Sequence, residues 1–183
     1  MTDIYQHPLS SLVKRYERLG VNPRAGNEAK QQLLSEGLVV PKRIATATTQ
    51  ILLFELTVKG KTVLRDLGYQ TEQQEQEGIT HLLWKTRVAD WFRSRGYEVL
   101  VEEHVNGKPD VIAMKDTVRA AIEIETGASD VMKNIEKNIK AGFDEIVCVA
   151  TSKELEEKIK QDIRELGLHE KVRVTSVFEF DLH

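Results

Sequence analysis

The chain of 183 residues has one cysteine, few proline and glycine residues, and no long apolar run. A lone cysteine excludes an intramolecular disulfide, and the apolar setting of Cys148 indicates a buried strand residue in a reducing compartment. No segment is long enough to span a bilayer, and the N-terminus shows no signal peptide. We therefore expect a cytoplasmic protein without a membrane partner. The regular spacing of apolar residues excludes a disordered chain.

Charge is divided unevenly along the chain, although the net charge is only −3. Residues 1–68 hold 10 lysine and arginine against 6 aspartate and glutamate residues, a net +4, whereas residues 69–183 hold 16 against 23, a net −7. This asymmetry favours two units with different partners, the first tolerant of an anionic polymer. The segment 70–78, close to the boundary between these two parts of the chain, has no apolar residue. We predict a domain over residues 1–69, a linker over 70–79 and a second domain over 80–183.

The first domain is predicted to contain helices over 10–19, 23–35 and 58–67, with strands over 38–41 and 51–56 joined by a polar loop over 42–50. Asn22 and Pro23 supply an N-cap and a first-turn proline, and Thr57 caps the last helix. This order resembles a winged helix-turn-helix domain that lacks its usual first helix. The string from Leu56 to Gly60 is similar to the segment that follows the wing in such domains.

We expect this first domain to bind DNA. The predicted helix over 23–35 presents side chains that suit phosphates and base edges in the major groove, namely Arg24, Asn27, Lys30 and Gln31. Lys42 and Arg43 in the predicted wing suit contacts with the DNA backbone. Winged helices also serve as protein-interaction modules, and that alternative stays open. The positive charge and the residue types favour DNA.

The second domain is predicted to alternate helices and strands in the order αβββαβαβ. Helices are expected from about 83 to 95, over 130–141 and after a capping box formed by Thr151 and Glu154. Strands are expected over 97–103, 111–114, 118–125 and 145–150, with a last one near 172–177, and Asn106 and Gly107 predict a hairpin turn between the first two. The fold class is α/β, because the apolar strand over 145–150 reads as a central strand covered on both faces.

Three carboxylates in this domain have a spacing that predicts a metal site. Glu123 and Glu125 project from one face of a strand, since strand side chains alternate, and Asp110 begins the neighbouring strand of a hairpin. Three carboxylates in a small volume repel one another, which raises their pKa values unless a cation is bound. Oxygen ligands of this kind suit Mg²⁺ or Mn²⁺. An exposed face of an edge strand is the alternative.

Residues 80–183 resemble the PD-(D/E)XK nuclease superfamily, which has a restriction-endonuclease-like αβββαβ core. The resemblance places Asp110 at the motif aspartate and Glu123 at the motif acid, and it implies metal-dependent hydrolysis of DNA phosphodiesters. Glu125 stands where the family expects lysine, and some restriction enzymes of the superfamily carry this E-x-E variant. Lysines relocate within the family, and Lys137 is the first candidate for the missing cation, ahead of Lys133 and Lys108.

The string from Ile122 to Gly127, with Ser129, Asn134 and Lys137 beyond it, is also similar to the C-terminal region of some prokaryotic DNA-pumping or conjugation-type ATPases. There a winged helix precedes a nuclease-like domain. Three functions therefore stay open: an active DNA endonuclease, an inactive nuclease-fold protein that binds DNA, and an interaction domain of a larger DNA-translocating ATPase. The sequence also leaves open whether the chain forms a homodimer.

Overall fold

The structure is a computed structural model that describes residues 1–71, 78–101 and 108–180. Within these residues the chain has an α/β fold with seven α-helices and two sheets. It divides into two compact units, Met1–Thr80 and His81–His183. Most of the predicted linker, the predicted turn at Asn106 and Gly107, and the end of the strand predicted over 97–103 lie outside the described residues. None of the helices in the described ranges combines the length and apolar character needed to cross a bilayer.

The first unit has three helices, a two-stranded antiparallel sheet and a fourth helix. In chain order they are α1 (Thr2–Gln6), α2 (Leu12–Leu19), α3 (Pro23–Ser35), β1 (Val39–Ala45), β2 (Gln50–Leu56) and α4 (Val58–Asp66). The predicted caps are confirmed, because Asn22 accepts a hydrogen bond from the backbone N–H of Ala25 and Thr57 accepts one from Gly60. These bonds satisfy backbone donors that have no partner inside the helix.

Two predictions for this unit are wrong. A first helix, α1, is present, although the sequence indicated that it was absent. Strand β1 also continues to Ala45, so Lys42 and Arg43 lie in the strand and not in a loop. The polar side chains of this stretch suggested a loop, but pairing with the apolar strand β2, where Arg43 lies opposite Leu52, extends the ladder. The turn is confined to the residues between Ala45 and Gln50.

The core of the first unit consists of Val39, Phe54, Leu56 and Leu64. Helix α4 reaches this core by passing very close to the end of the loop that precedes β1. A Cβ atom added at Gly60 would lie 2.1 Å from the carbonyl oxygen of Leu38, so only glycine fits at this approach.

The second unit is built on a five-stranded mixed sheet. Its elements are α5 (Ile79–Ser94, whose first two residues belong to the first unit), β3 (Glu98–Val101), β4 (Val111–Lys115), β5 (Val118–Glu125), α6 (Val131–Lys140), β6 (Glu145–Ala150), α7 (Lys153–Glu165) and β7 (Val172–Ser176). The strands lie in the order β3-β4-β5-β6-β7, with antiparallel pairing up to β5 and parallel pairing beyond it. The predicted element order αβββαβαβ is confirmed, and β5 is the central strand.

Two local predictions in this unit are corrected. Ser152, not Thr151, caps α7, because its hydroxyl accepts a hydrogen bond from the N–H of Leu155. The hydroxyl of Thr151 donates instead to the backbone carbonyl of Glu125, at 2.9 Å. The last strand ends at Ser176, and the chain continues into a short 3-10 helix, Val177–Phe180. Cys148 is fully buried in the cluster between β5, β6, α6 and α7, as predicted.

Candidate functional site

Strand β5 places Glu123 and Glu125 on one face of the sheet, with Ile124 between them on the other. Both glutamates are almost completely enclosed, at 4% and 1% exposure. Enclosure follows from the position of β5, which pairs with β4 on one side and β6 on the other. The alternative that these glutamates lie on an exposed edge strand is therefore wrong.

Asp110 lies immediately before β4 and is tied to the strand that carries the glutamates. Its Oδ2 accepts a hydrogen bond of 2.8 Å from the backbone N–H of Ile124, the residue between them. The imidazole Nε2 of His81, in the first turn of α5, lies 3.0 Å from the same oxygen. One backbone donor and one side chain thus hold Asp110 against β5, at the residue that lies between the two glutamates.

Helix α6 and the loop that precedes it contribute polar groups to both glutamates. The Nδ2 of Asn138 donates to Oε1 of Glu123 at 2.7 Å, and the Nζ of Lys137 lies 3.7 Å from that same oxygen. The hydroxyl of Ser129 donates to Oε2 of Glu125. The face of α6 turned toward β5 therefore combines a cation with amide groups.

Burial dominates the electrostatics of the two glutamates. It is the largest of the effects that raise the pKa of Glu123 to about 7, and the charges of Asp110 and Glu125 add to it against the opposing contributions of Asn138 and Lys137. The pKa of Glu125 is raised for the same first reason, while the Ser129 hydroxyl and the Asn134 amide oppose the shift. Repulsion between the carboxylates, which the sequence predicts, also raises the pKa of Glu123, but its contribution is smaller than that of desolvation.

Each of the three carboxylates has one oxygen held by the protein. Hydrogen bonds within the described residues reach Oδ2 of Asp110, Oε1 of Glu123 and Oε2 of Glu125. The second oxygen of Glu125, Oε1, is buried and has no hydrogen-bond partner among those residues. A buried carboxylate oxygen without a donor is unfavourable, and a cation would satisfy it.

The oxygens of the three acids suit a divalent ion, but their side chains are not yet gathered around one point. In the part of the chain that the structure describes, no three histidine, cysteine, aspartate or glutamate side chains are already grouped closely enough to hold a metal. The donor atoms are nevertheless all carboxylate oxygens, the ligands that Mg²⁺ and Mn²⁺ prefer. The donor chemistry fits either ion, and the side chains would have to rotate toward one another to enclose it.

The three candidate lysines occupy different places. Lys137 reaches Glu123, whereas the side chains of Lys133 and Lys108 are exposed. Sequence reasoning missed two residues of the site. His81, near the start of α5, and Asn138, one helical turn after Asn134, are not among the site residues predicted from the sequence.

The predicted DNA-binding residues of the first unit lie on α3 and β1. Arg24 is exposed and pairs with Glu28 at 3.1 Å, and Gln31 is exposed one turn further along the same helix. Asn27 accepts hydrogen bonds from the hydroxyl of Tyr16 and from Lys30. The other two residues are on the strand: Lys42, whose Nζ lies 3.5 Å from Glu55, and the exposed Arg43.

Fold and site together define a mixed α/β protein with a buried acidic cluster. No protein-family model matches the chain, and no curated protein matches it. Among solved structures it is similar to the crystal structure of AF1548, a protein of unknown function, at 21% identity and a TM-score of 0.36. That match covers 51% of this chain and 58% of the other, so it spans less than two thirds of AF1548.

Proposed function

We propose that the second unit is a metal-dependent DNA endonuclease of the PD-(D/E)XK type, and that the first unit is a winged helix-turn-helix module that binds the DNA. The observation that carries the proposal is the buried cluster of Asp110, Glu123 and Glu125, in which Glu125 keeps an oxygen without a donor and a lysine ammonium stands beside Glu123. The strand order around the cluster, with the acids on β5 and before β4, is the arrangement that the family resemblance implies.

Asp110, Glu123 and Glu125 would hold Mg²⁺ or Mn²⁺ through carboxylate oxygens. A bound divalent ion neutralises charge on the phosphate and lowers the pKa of a coordinated water. The residues around the acids have separate tasks. Ser129 and Asn138 each donate a hydrogen bond to one oxygen of a glutamate, and the backbone N–H of Ile124 donates one to Asp110, so each acid keeps a second oxygen for the ion.

Lys137 supplies the positive charge that, in the family, comes from a lysine at position 125. Its ammonium lies 3.7 Å from Glu123, and its side chain is one-third exposed, so Lys137 can meet a substrate while it stays near the acids. A positioned cation stabilises negative charge that develops on the transferring phosphate. Glu125 is then free to serve as a third carboxylate ligand, or as the base that accepts a proton from the attacking water.

Support for DNA binding by the first unit comes from its element order and its charge. Three helices, a strand pair and a fourth helix follow the order of a winged helix-turn-helix, and residues 1–68 carry a net +4. Arg24, Asn27 and Gln31 occur at intervals of three and four residues on α3, so they share one face.

Incubation with DNA tests the proposed activity directly. Supercoiled plasmid and branched DNA are incubated with the full chain and Mg²⁺ or Mn²⁺, and with EDTA in parallel. We expect nicking that needs the metal and that Asp110→Ala abolishes. Glu170→Ala, which removes an exposed carboxylate from the same unit, is the matched control and should cleave like wild type.

The same experiment distinguishes the endonuclease from a second candidate function. DNA binding without cleavage, for every DNA shape and with either metal, would contradict the endonuclease proposal. The chain would then be a nuclease-fold DNA-binding protein that has lost turnover together with its lysine at position 125.

A further inference from the structure

Helix α6 covers the two glutamates of the acidic cluster. Asn138, which donates to Glu123, is completely buried, and Glu123 and Glu125 are only 4% and 1% exposed. Ile135 of the same helix packs in one apolar cluster with Ala121, which lies two residues before Glu123 and therefore on the same face of β5. Core packing thus fixes α6 over the acids, and lifting the helix away would expose that core to water.

Solvent reaches the cluster at its rim. The side chains of Asp110, His81 and Lys137 are 23%, 22% and 33% exposed. The loop of residues 126–130, which follows Glu125, is exposed throughout. A phosphate therefore has to go below the surface that these groups form before it meets the oxygens of the glutamates.

Duplex DNA is poorly suited to such a recessed site. It is stiff, with a persistence length of about 50 nm, and its phosphates lie on the outside of a wide helix. These phosphates meet groups at the surface of a protein more readily than groups that lie under a helix. An unpaired strand bends at each nucleotide, and one of its phosphates can enter a narrow opening without the cost of breaking base pairs.

We propose that the acidic cluster cleaves unpaired DNA in preference to duplex DNA. This preference rests on the proposed nuclease function and names its substrate, which is a single strand or an unpaired stretch within or beside a duplex. Water supplies a hydroxyl group to the phosphorus and a proton to the sugar oxygen that leaves, as in any phosphodiester hydrolysis. Lys137, exposed at the rim and 3.7 Å from Glu123, holds the entering phosphate beside the acids.

Cleavage of one DNA sequence in three forms tests the preference. The forms are a single strand, a full duplex and a duplex with a central unpaired loop. Each is incubated with Mn²⁺ and a saturating amount of the full chain, so that differences in DNA affinity do not enter the rate. We expect the single strand and the unpaired loop to be cut at least about tenfold faster than the duplex, because unpairing adds to the barrier for cleavage.

Plasmid topology gives an independent measurement. Negative supercoiling favours local unpairing, so a supercoiled plasmid should be nicked faster than the same plasmid in its relaxed, covalently closed form. Asp110→Ala should abolish the cleavage of every form. Glu170→Ala, which removes an exposed carboxylate from the same unit, is the matched control and should keep both the rates and the preference of wild type.

Equal rates at saturation for the single strand, the duplex with a loop and the full duplex would overturn the preference and leave the endonuclease proposal standing. If no form is cleaved with either Mg²⁺ or Mn²⁺, the endonuclease proposal fails and the preference fails with it.

Discussion

The ammonium group of Lys137 on helix α6 lies 3.7 Å from Oε1 of Glu123 on strand β5. The same oxygen accepts the hydrogen bond from Asn138, so two neighbouring side chains of the helix meet one carboxylate. This relationship brings a cation to the acidic cluster although the residue at position 125 is glutamate. It is also the feature whose consequences are the easiest to measure.

We predict that Lys137→Ala lowers the rate of DNA cleavage by ~10²–10³-fold, the usual effect of removing a positioned charge near the transferring phosphate. DNA affinity should change little, because most phosphate contacts are expected from the first unit. Single-turnover cleavage and gel-shift titrations measure the two quantities separately. Lys133→Ala, on the exposed side of the same helix, serves as the control. Cleavage at the wild-type rate by Lys137→Ala, Lys133→Ala and Lys108→Ala would exclude a relocated lysine.

Binding of a divalent ion by the acids is a second prediction. Mn²⁺ should raise the melting temperature of wild type by mass action, because the folded state alone presents the cluster. The double change Glu123→Ala, Glu125→Ala should abolish this rise, and Glu170→Ala should preserve it. Equal Mn²⁺ binding by wild type and the double variant in calorimetry would show that the ion sits elsewhere.

A third prediction concerns pH and the metal-free protein. Glu123 has a pKa of about 7 in the folded chain against 4.5 in its ordinary state, so the folded protein favours its protonated form. The resulting stabilisation is complete below pH 4.5 and is lost as the pH rises to about 7. The loss amounts to about 3 kcal/mol, since each pKa unit corresponds to ~1.4 kcal/mol.

Glu123→Gln removes this titration, and chemical denaturation at a series of pH values measures the difference between the two proteins. The free energy of unfolding of wild type should decline relative to the variant between pH 4.5 and 7 and stay level above that range. Glu125 shifts in the same direction and remains in both proteins, so the difference between them reports the titration of Glu123 together with its interaction with Glu125. Parallel pH profiles for wild type and Glu123→Gln would contradict the prediction.

The fourth prediction concerns DNA binding by the first unit. Affinity of the full chain for duplex DNA should fall steeply with salt, and Arg24→Ala should reduce the slope of log K against log salt by about one. Lys30→Ala should have a smaller effect, because Lys30 is half-buried and donates a hydrogen bond to Asn27. Binding that is independent of salt, or an unchanged slope in Arg24→Ala, would argue for a protein partner of this unit.

Much of the fold follows from local sequence. Asn22 and Pro23 start α3 where predicted, because a cap and a first-turn proline act through the nearest backbone groups alone. The shared face of Glu123 and Glu125 follows from strand alternation and is equally local. The cap predicted for α7 at Thr151 is wrong, because Thr151 and the adjacent Ser152 are both suitable residues and only Ser152 accepts the bond from the helix.

Helix α1 was not predictable from the sequence. It has only five residues, too few for an isolated helix to be stable in water. Asp3 within it pairs with Arg15 and Arg18, which lie 12 and 15 residues away, so tertiary contacts hold it in place. Helix α1 therefore depends on contacts between residues that are distant in the sequence, and a local sequence pattern cannot predict such contacts.

The sequence by itself determined the element order of the second unit and the shared face of Glu123 and Glu125 on one strand. Only the tertiary structure decided that these acids are enclosed, because burial of Glu123 and Glu125 requires β5 to be central, and strand order is set by long-range pairing. It also decided that His81 meets Asp110 across 29 residues and that Lys137, not Lys133, reaches Glu123. Side-chain alternation is a property of a few consecutive residues, whereas desolvation and ion pairing depend on elements that folding brings together from distant parts of the chain.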